Sequence, residues 1–211
     1  MAAERYELPP DRLARWLDRW ADAHGGIVET GGDGALVRFT ARDGAGLECE
    51  PPFPPVRGDL LAHVARERTV GVLLVRLGGH AAGVFAGTRP LDSKVGSRPV
   101  HGRNRAGGSS SGRFARRREG QARVALHAAA DVATRVLRGP AEAGRLDAVV
   151  LGGDRQALAA VLADDRLAAL RPLVAERVLD VPDPRLKVLR ATPAAFLATV
   201  VRPREPCQEC G

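Results

Sequence analysis

The sequence predicts an α/β protein, a mixed β-sheet flanked by helices, with a small N-terminal helix-plus-hairpin unit. Three observations point there. From residue 69 onward, strand-like and helix-like segments alternate as β-β-β-α-β-α-β-α, the pattern of a sheet covered by helices. Two runs, Thr69 to Leu77 (TVGVLLVRL) and Leu146 to Leu151 (LDAVVL), are almost continuously apolar and β-branched, as strands buried on both faces are. Apolar residues make up 45% of the chain but aromatic residues only 4%, so the core has to be built from Ala, Val and Leu. A length of 211 residues allows one domain or one and a half. The expected division is 1–57 for the N-terminal unit, 58–202 for the main domain and 203–211 for a flexible tail.

The elements follow in order. Pro9, Pro10 and Asp11 start a helix over 9–24, in which Leu13, Trp16, Leu17 and Trp20 recur at helical spacing and which Gly25-Gly26 stops. The two tryptophans are expected to anchor the small unit. Short strands follow at 27–29 and 35–40, joined by Gly31-Gly32-Asp33-Gly34, with a third at 46–50. Pro51, Pro52, Pro54 and Pro55 read as a stiff linker, where the domain boundary is placed. A short helix, 59–67, leads into the strand from Thr69. Gly78-Gly79 turns the chain into a second strand, 80–87, and a third runs over 91–98, an antiparallel meander. A long helix is expected over 113–137, with Phe114, Ala125, Ala129, Val132 and Val136 on one face, ended by Gly139-Pro140. After the strand at 146–151, Gly152-Gly153-Asp154 caps a helix over 155–163. A short helix at 166–170, a strand at 175–181, a helical segment at 183–200 and a polar, frayed tail complete the reading.

The meander delivers the chain into its most unusual stretch, Lys94 to Arg123. Nine cations lie there, Lys94, Arg98, Arg103, Arg105, Arg113, Arg116, Arg117, Arg118 and Arg123, against the single acid Glu119. Its middle, 104–112, has almost no apolar side chain and is expected to be a mobile loop. Arginines on both sides suit a segment that meets phosphates. Part of the Arg excess reflects codon bias, since Lys occurs only at 94 and 187, yet a net charge of +7 and a pI near 10.5 favour an anionic partner, nucleic acid before membrane. No apolar run approaches the roughly 18 residues of a membrane span. The N-terminus carries Glu4, Glu7 and Asp11 and lacks an apolar signal core, so a cytoplasmic protein is expected.

Other chemistries find less support. The strand–Gly152-Gly153-Asp154–helix turn lacks the full G-x-G-x-x-G spacing and a Walker lysine, and reads as a tight structural connection. Cys207 and Cys210 form half of a tetrahedral zinc site whose other half is missing, because Cys49 and the five histidines show no paired spacing. No metal and no cofactor are expected. A Ser–His–Asp set drawn from Ser109, Ser110 or Ser111 with His101 and Asp92 lacks a G-x-S-x-G elbow. His63, His80 and His127 read as ordinary surface or boundary residues.

The string from His101 to Glu119, HGRNRAGGSSSGRFARRRE, resembles the catalytic loop and following helix of class-1 peptide-release factors of the eukaryotic and archaeal type. There a basic lead-in precedes Gly-Gly-Gln, a few small residues, and a helix that begins Arg-Phe-Ala-Arg. Gly107, Gly108 and Arg113-Phe114-Ala115-Arg116 stand at matching spacing. In overall layout the chain is similar to the actinobacterial VLRF family of peptidyl-tRNA hydrolases. The similarity rests on KVGSRPVHGR, FARRREGQARVAL, LDAVVLGGDR and the tryptophan-bearing first helix, and is strongest over 69–200.

The resemblance implies a release-factor middle-domain fold and a peptidyl-tRNA hydrolase of ribosome rescue, acting on stalled large subunits. Its partners would be the large ribosomal subunit, peptidyl-tRNA and rRNA, and the protein itself a monomer without a membrane partner. Gly107 and Gly108 would shape the loop, Ser109, Ser110, Ser111 and Gly112 would form its catalytic tip, and Lys94, Arg98, Arg103, Arg105, Arg113, Arg116, Arg117 and Arg118 would contact RNA. The loop departs from the family pattern in one respect. The expected glutamine is absent at 109, 111 and 112, and Gln121 lies down the predicted helix. The alternative is therefore a catalytically weakened or inactive ribosome- or tRNA-binding protein on the same fold.

Overall fold

The computed structural model describes residues 4–76, 78–98 and 111–204, the side chains of 111–118 excepted. Two units are formed, one from residues 1–67 with 194–211, the other from 68–193.

The first unit is an antiparallel sheet with helices. Its elements are β1 (Tyr6–Leu8), α1 (Pro10–Ala23), β2 (Ile27–Gly32), β3 (Val37–Ala41), β4 (Gly46–Glu50) and α2 (Leu60–Ala65), joined from the far end of the chain by β10 (Thr199–Arg204). The order is β1-β10-β4-β3-β2, every pair antiparallel. α1 buries Leu13, Leu17 and Trp20 in a core with Val37, Leu47, Cys49 and Val201, and Trp16 packs at its margin against Tyr6. The Asp33 carboxylate accepts hydrogen bonds from the Ala35 and Leu36 N–H groups, closing the β2–β3 turn, and those bonds hold its pKa below the ordinary range. Asp59 caps α2 through the Ala62 N–H.

Three expectations change here. Pro51 and Pro52 are buried, the Pro52 carbonyl accepts from His63 Nε2 at 2.9 Å, and Phe53 meets Phe196 edge-on, so the proline run belongs inside this unit and does not link two. The division falls at Glu67/Arg68, ten residues beyond the expected 57/58. The final helix stops at Phe196. Thr199 to Arg204 are a strand between β1 and β4, so Pro203 and Arg204 are paired with Leu47 and Gly46 instead of forming a frayed tail. Three β-branched residues in a row, Thr199, Val200 and Val201, favour that outcome, and all three are buried.

The second unit is the mixed sheet. β5 (Thr69–Arg76), β6 (Gly79–Ala86) and β7 (Arg89–Ser97) form the meander, and β8 (Ala148–Gly153) and β9 (Val174–Leu179) add to β5 in parallel, giving the order β7-β6-β5-β8-β9. Between β7 and β8 lies α3 (Ser111–Ala133), which runs through a π-helical turn, Thr134–Arg138, into a last α-turn, α4 (Gly139–Glu142). α5 (Arg155–Leu162), a 3-10 segment (Asp165–Leu173) and the first two turns of α6 (Leu186–Phe196) complete the unit, which ends at Pro193. α3 and α5 each return the chain across the sheet, which is how parallel strands are connected.

One face of the sheet, with Leu73, Val75, Ala82, Val84, Val149 and Leu151, packs on Ala129, Ala130, Ala133, Val136 and Leu137 of the long helix and on Leu158 and Val161 of α5. The π turn adds a residue per turn, which brings Leu137 to the core beside the expected Val136. The opposite face meets α6. A Cβ on Gly83 would lie 3.2 Å from Leu189 Cδ2, so the glycine sets how closely that helix approaches. Asp147 and Thr69 exchange two hydrogen bonds of 2.8 Å and fix the register of β8 on β5. Arg166 reaches Asp131 on α3 and Asp164, both at 2.8 Å, tying the 3-10 segment to the long helix. No helix among the described residues is long and apolar enough to cross a membrane.

Candidate nucleic-acid interface

The geometry of the basic stretch is set by its two supports. β7, on the edge of the sheet, ends at Ser97, and α3 begins at Ser111. Because α3 packs along β6 and β7, both supports belong to one side of the unit. Lys94 and Arg98 are both exposed. Lys94 lies on β7, and Arg98 directly follows its last residue. Arg98 donates its backbone N–H to Gly78 O at 2.7 Å, which ties the end of β7 to the residue that precedes β6.

Beneath this point sits His80. The sequence places it at the surface or a boundary, but only 4% of it is exposed. It faces Gly96 across the β6–β7 ladder, and a Cβ on residue 96 would collide with its Nε2. Burial first, and then the positive charge of Arg98, hold the imidazole below its ordinary pKa. The neutral ring thus fills the space that Gly96 leaves, and together they shape the stem of β7. The available signal was the run HAAGVF, apolar enough to be a fully buried strand that carries His80 inward with it.

On the helical side, the backbone positions 113, 116 and 117 share one face by helical period, and 118 lies about 100° further round. Further along, Glu119, Arg123 and Val124 are exposed, while Ala129, Ala130 and Ala133 are buried. From Glu119 onward the long helix thus passes from an exposed stretch into the core. Gln121 lies ten residues into α3, half-buried and about 15 Å along the axis from Ser111. The structure confirms that it belongs to the helix and not to the tip.

Of the other residues singled out from sequence, His101, Arg103, Arg105, Gly107, Gly108, Ser109 and Ser110 lie outside the described residues, as do Cys207 and Cys210. Ser111, Gly112, Arg113, Arg116, Arg117 and Arg118 are placed by backbone, as the first two turns of α3. Cys49 is fully buried in the first unit, and burial pushes its thiol up to about 12, so it remains a protonated core side chain. Asp154 caps α5 by accepting from the Ala157 N–H at 2.8 Å, which gives the Gly152-Gly153-Asp154 turn the structural role expected of it.

The arrangement is a cation-rich connection that joins an edge strand to the start of a long helix. Side chains of that kind neutralise phosphates, and the described part of the site has no carboxylate pair or buried nucleophile of the sort hydrolytic chemistry uses on its own.

Comparison with known proteins adds the following. The family described as Actinobacteria/chloroflexi VLRF1 release factor matches residues 68–202. Among solved structures, the archaeal translation termination factor aRF1 is similar with a TM-score of 0.45 at 17% identity, over 92% of this chain and 66% of that one. A structure described as an archaeal protein follows at 0.38 and 17%, over 75% and 52%, and Archaeoglobus fulgidus Pelota at 0.31 and 8%, over 81% and 52%. The chain thus spans between about half and two thirds of the lengths of these structures. No curated protein matches it.

Proposed function

This chain belongs to the actinobacterial and chloroflexi VLRF1 release-factor family, a release-factor-like family of translation, and on that footing we propose that it is a peptidyl-tRNA hydrolase of ribosome rescue. The observation that carries the reading is the stretch Lys94 to Arg123, which falls inside the matched region and joins β7 to α3 with nine cations against one acid. The proposed partners are the large ribosomal subunit, its rRNA and a stalled peptidyl-tRNA. The proposed setting is the cytoplasm, and the proposed state a monomer.

In the proposed reaction, a water oxygen adds to the carbonyl carbon of the ester joining peptide to tRNA. The bond to the ribose oxygen then breaks, and that oxygen takes the proton the water gives up. Gly107 and Gly108 supply backbone freedom for close approach, and backbone N–H groups of the tip stabilise the developing oxyanion. Ser109, Ser110 and Ser111 order the water through their hydroxyls. Lys94, Arg98, Arg103, Arg105, Arg113, Arg116, Arg117 and Arg118 hold the segment against RNA phosphates.

A second reading is favoured by one specific observation, the absence of glutamine from 109 to 112. Loss of one positioned donor costs about 2.7–4 kcal/mol, or 10²–10³ in rate, which leaves a slow hydrolase or a binder without chemistry. The test is release of labelled peptide from peptidyl-tRNA on purified large subunits. Release that disappears in Gly107→Ala/Gly108→Ala supports the hydrolase. An inert parent that gains release on Ser109→Gln, Ser111→Gln or Gly112→Gln supports the binder.

A further inference from the structure

Strand direction gathers more cations at the site than the basic stretch itself contains. β5, β8 and β9 are parallel, and β7 runs with them, so Arg76, Gly153, Leu179 and Ser97 all end at one edge of the sheet. The start of α3 follows from that edge, as do α5 and α6. Arg76 closes β5 with its Cγ 3.0 Å from the Cβ position of Gly153, and Arg155 is the first residue of α5. Arg185 precedes α6, whose first turns carry Lys187 and Arg190. The loop before α6 is anchored at the same edge, because a Cβ on Gly79 would lie 2.6 Å from Asp183 Oδ1.

All five cations are exposed. Among the described residues, Arg76, Arg155, Lys187 and Arg190 have no carboxylate partner, and Arg185 has only Asp183 at 3.8 Å. Arg138, Arg166 and Arg171, elsewhere in the unit, are each tied to carboxylates, while Arg89, Arg135 and Arg145 at the opposite end are exposed with none among the described residues, so it is the position at the strand ends that marks the row. Of the acids near this edge, Asp154 is committed to capping α5. The cations also flank the sheet. Arg155 begins the helix that packs with α3, while Lys187 and Arg190 lie on the helix covering the opposite face, where Leu189 meets Gly83.

We propose that Arg76, Arg155, Arg185, Lys187 and Arg190 form a second phosphate-contacting row, which lets the unit meet structured RNA with a whole sheet edge and not only with the β7–α3 segment. The proposal rests on the reading that this segment meets RNA. Exposed cations without partners carry no competing ion pair, so each can displace counterions from a polyanion. The row adds affinity and fixes orientation; it takes no part in bond breaking.

The experiment measures binding of the full-length protein to purified large ribosomal subunits across a salt series. Three charge-matched variants are compared: the edge set Arg155→Gln/Lys187→Gln/Arg190→Gln, the segment set Arg116→Gln/Arg117→Gln/Arg118→Gln, and the opposite-end set Arg89→Gln/Arg135→Gln/Arg145→Gln. The edge set should lower the slope of log affinity against log salt by about 2, at roughly 0.7–0.9 per contact, with the opposite-end set unchanged. Arg155→Lys/Arg190→Lys should keep the parental slope, which separates lost charge from lost folding. A parental slope for the edge set, with a reduced slope for the segment set, overturns the second row and leaves the basic segment standing. Equal losses in the edge and opposite-end sets overturn it as well, by reducing it to net charge. A parental slope for the segment set removes the reading on which the proposal rests.

Discussion

The two units use the same restricted alphabet for opposite ends. The first holds 10 Lys and Arg against 14 Asp and Glu, a net charge of −4, and the second 22 against 11, a net of +11. The outer face of the first sheet is neutralised by its own ladder, in which Arg38 and Arg204 both reach Glu48 and Arg202 reaches Glu50. The second unit concentrates +8 of its charge in Lys94 to Arg123. Their glycines differ too. In the first unit Gly25, Gly26, Gly34 and Gly44 have positive φ and make turns. In the second, Gly71 and Gly83 lie inside strands, where a Cβ would come within 3.1–3.2 Å of Leu146, Leu137 or Leu189. What the difference teaches is that one unit uses its glycines for turns and carries a net negative charge, while the other uses them to bring helices close to a sheet and carries the positive charge.

The largest expected effect that would sharpen this contrast is in the first core. Leu13 is fully buried, and Leu13→Ala should lose about 2–5 kcal/mol in urea denaturation while leaving the salt slope of the proposed binding to large ribosomal subunits at its parental value. A changed slope would mean that the acidic unit also meets the anion. Next comes the stem of the basic segment. Gly96→Ala places a methyl against the buried His80 ring and should cost about 1–3 kcal/mol, part of which His80→Ala/Gly96→Ala should restore. Equal stability of Gly96→Ala and parent would show that the ring moves freely.

The smallest effect is a pH dependence. The folded-state pKa of His80 is lowered, so the unfolded chain binds the proton more readily than the folded one. The contribution is complete above the unfolded value of about 6.5 and is lost as pH falls below it. His80→Gln should flatten that acid-side decline in a urea-midpoint titration, and an unchanged decline would exonerate the buried ring.

These contrasts were unequally legible in the sequence. Thr69 to Arg76 and Ala148 to Gly153 were readable because a strand buried on both faces has to be apolar throughout. The long helix was readable from its periodicity, although its π turn was not, since nothing local marks an inserted residue. β1 was missed because three residues, Tyr6 to Leu8, carry too little pattern, and their partner is β10 at the other end of the chain. β10 reads as helix and tail in the sequence for the same reason: its register is decided by Glu50 to Gly46, about 150 residues away. At the site, the charge of the segment and the supporting helix were plain from sequence. The run HAAGVF signals that His80 is carried inward, but its partner Gly96 is not legible, because that depends on a cross-strand pairing that composition does not encode. The edge cations Arg155, Lys187 and Arg190 are scattered in sequence and become neighbours of the site only through the parallel topology.

The central claim, that the anionic partner is met by the second unit and not by the first, has a direct measurement. Affinity for purified large ribosomal subunits would be followed across salt for Arg12→Gln/Arg15→Gln/Arg19→Gln on α1 and for Arg116→Gln/Arg117→Gln/Arg118→Gln on α3, which remove equal charge. The account predicts a slope about 2 smaller for the α3 variant and a parental slope for the α1 variant. Equal slopes for the two, or a greater loss from α1, would contradict it.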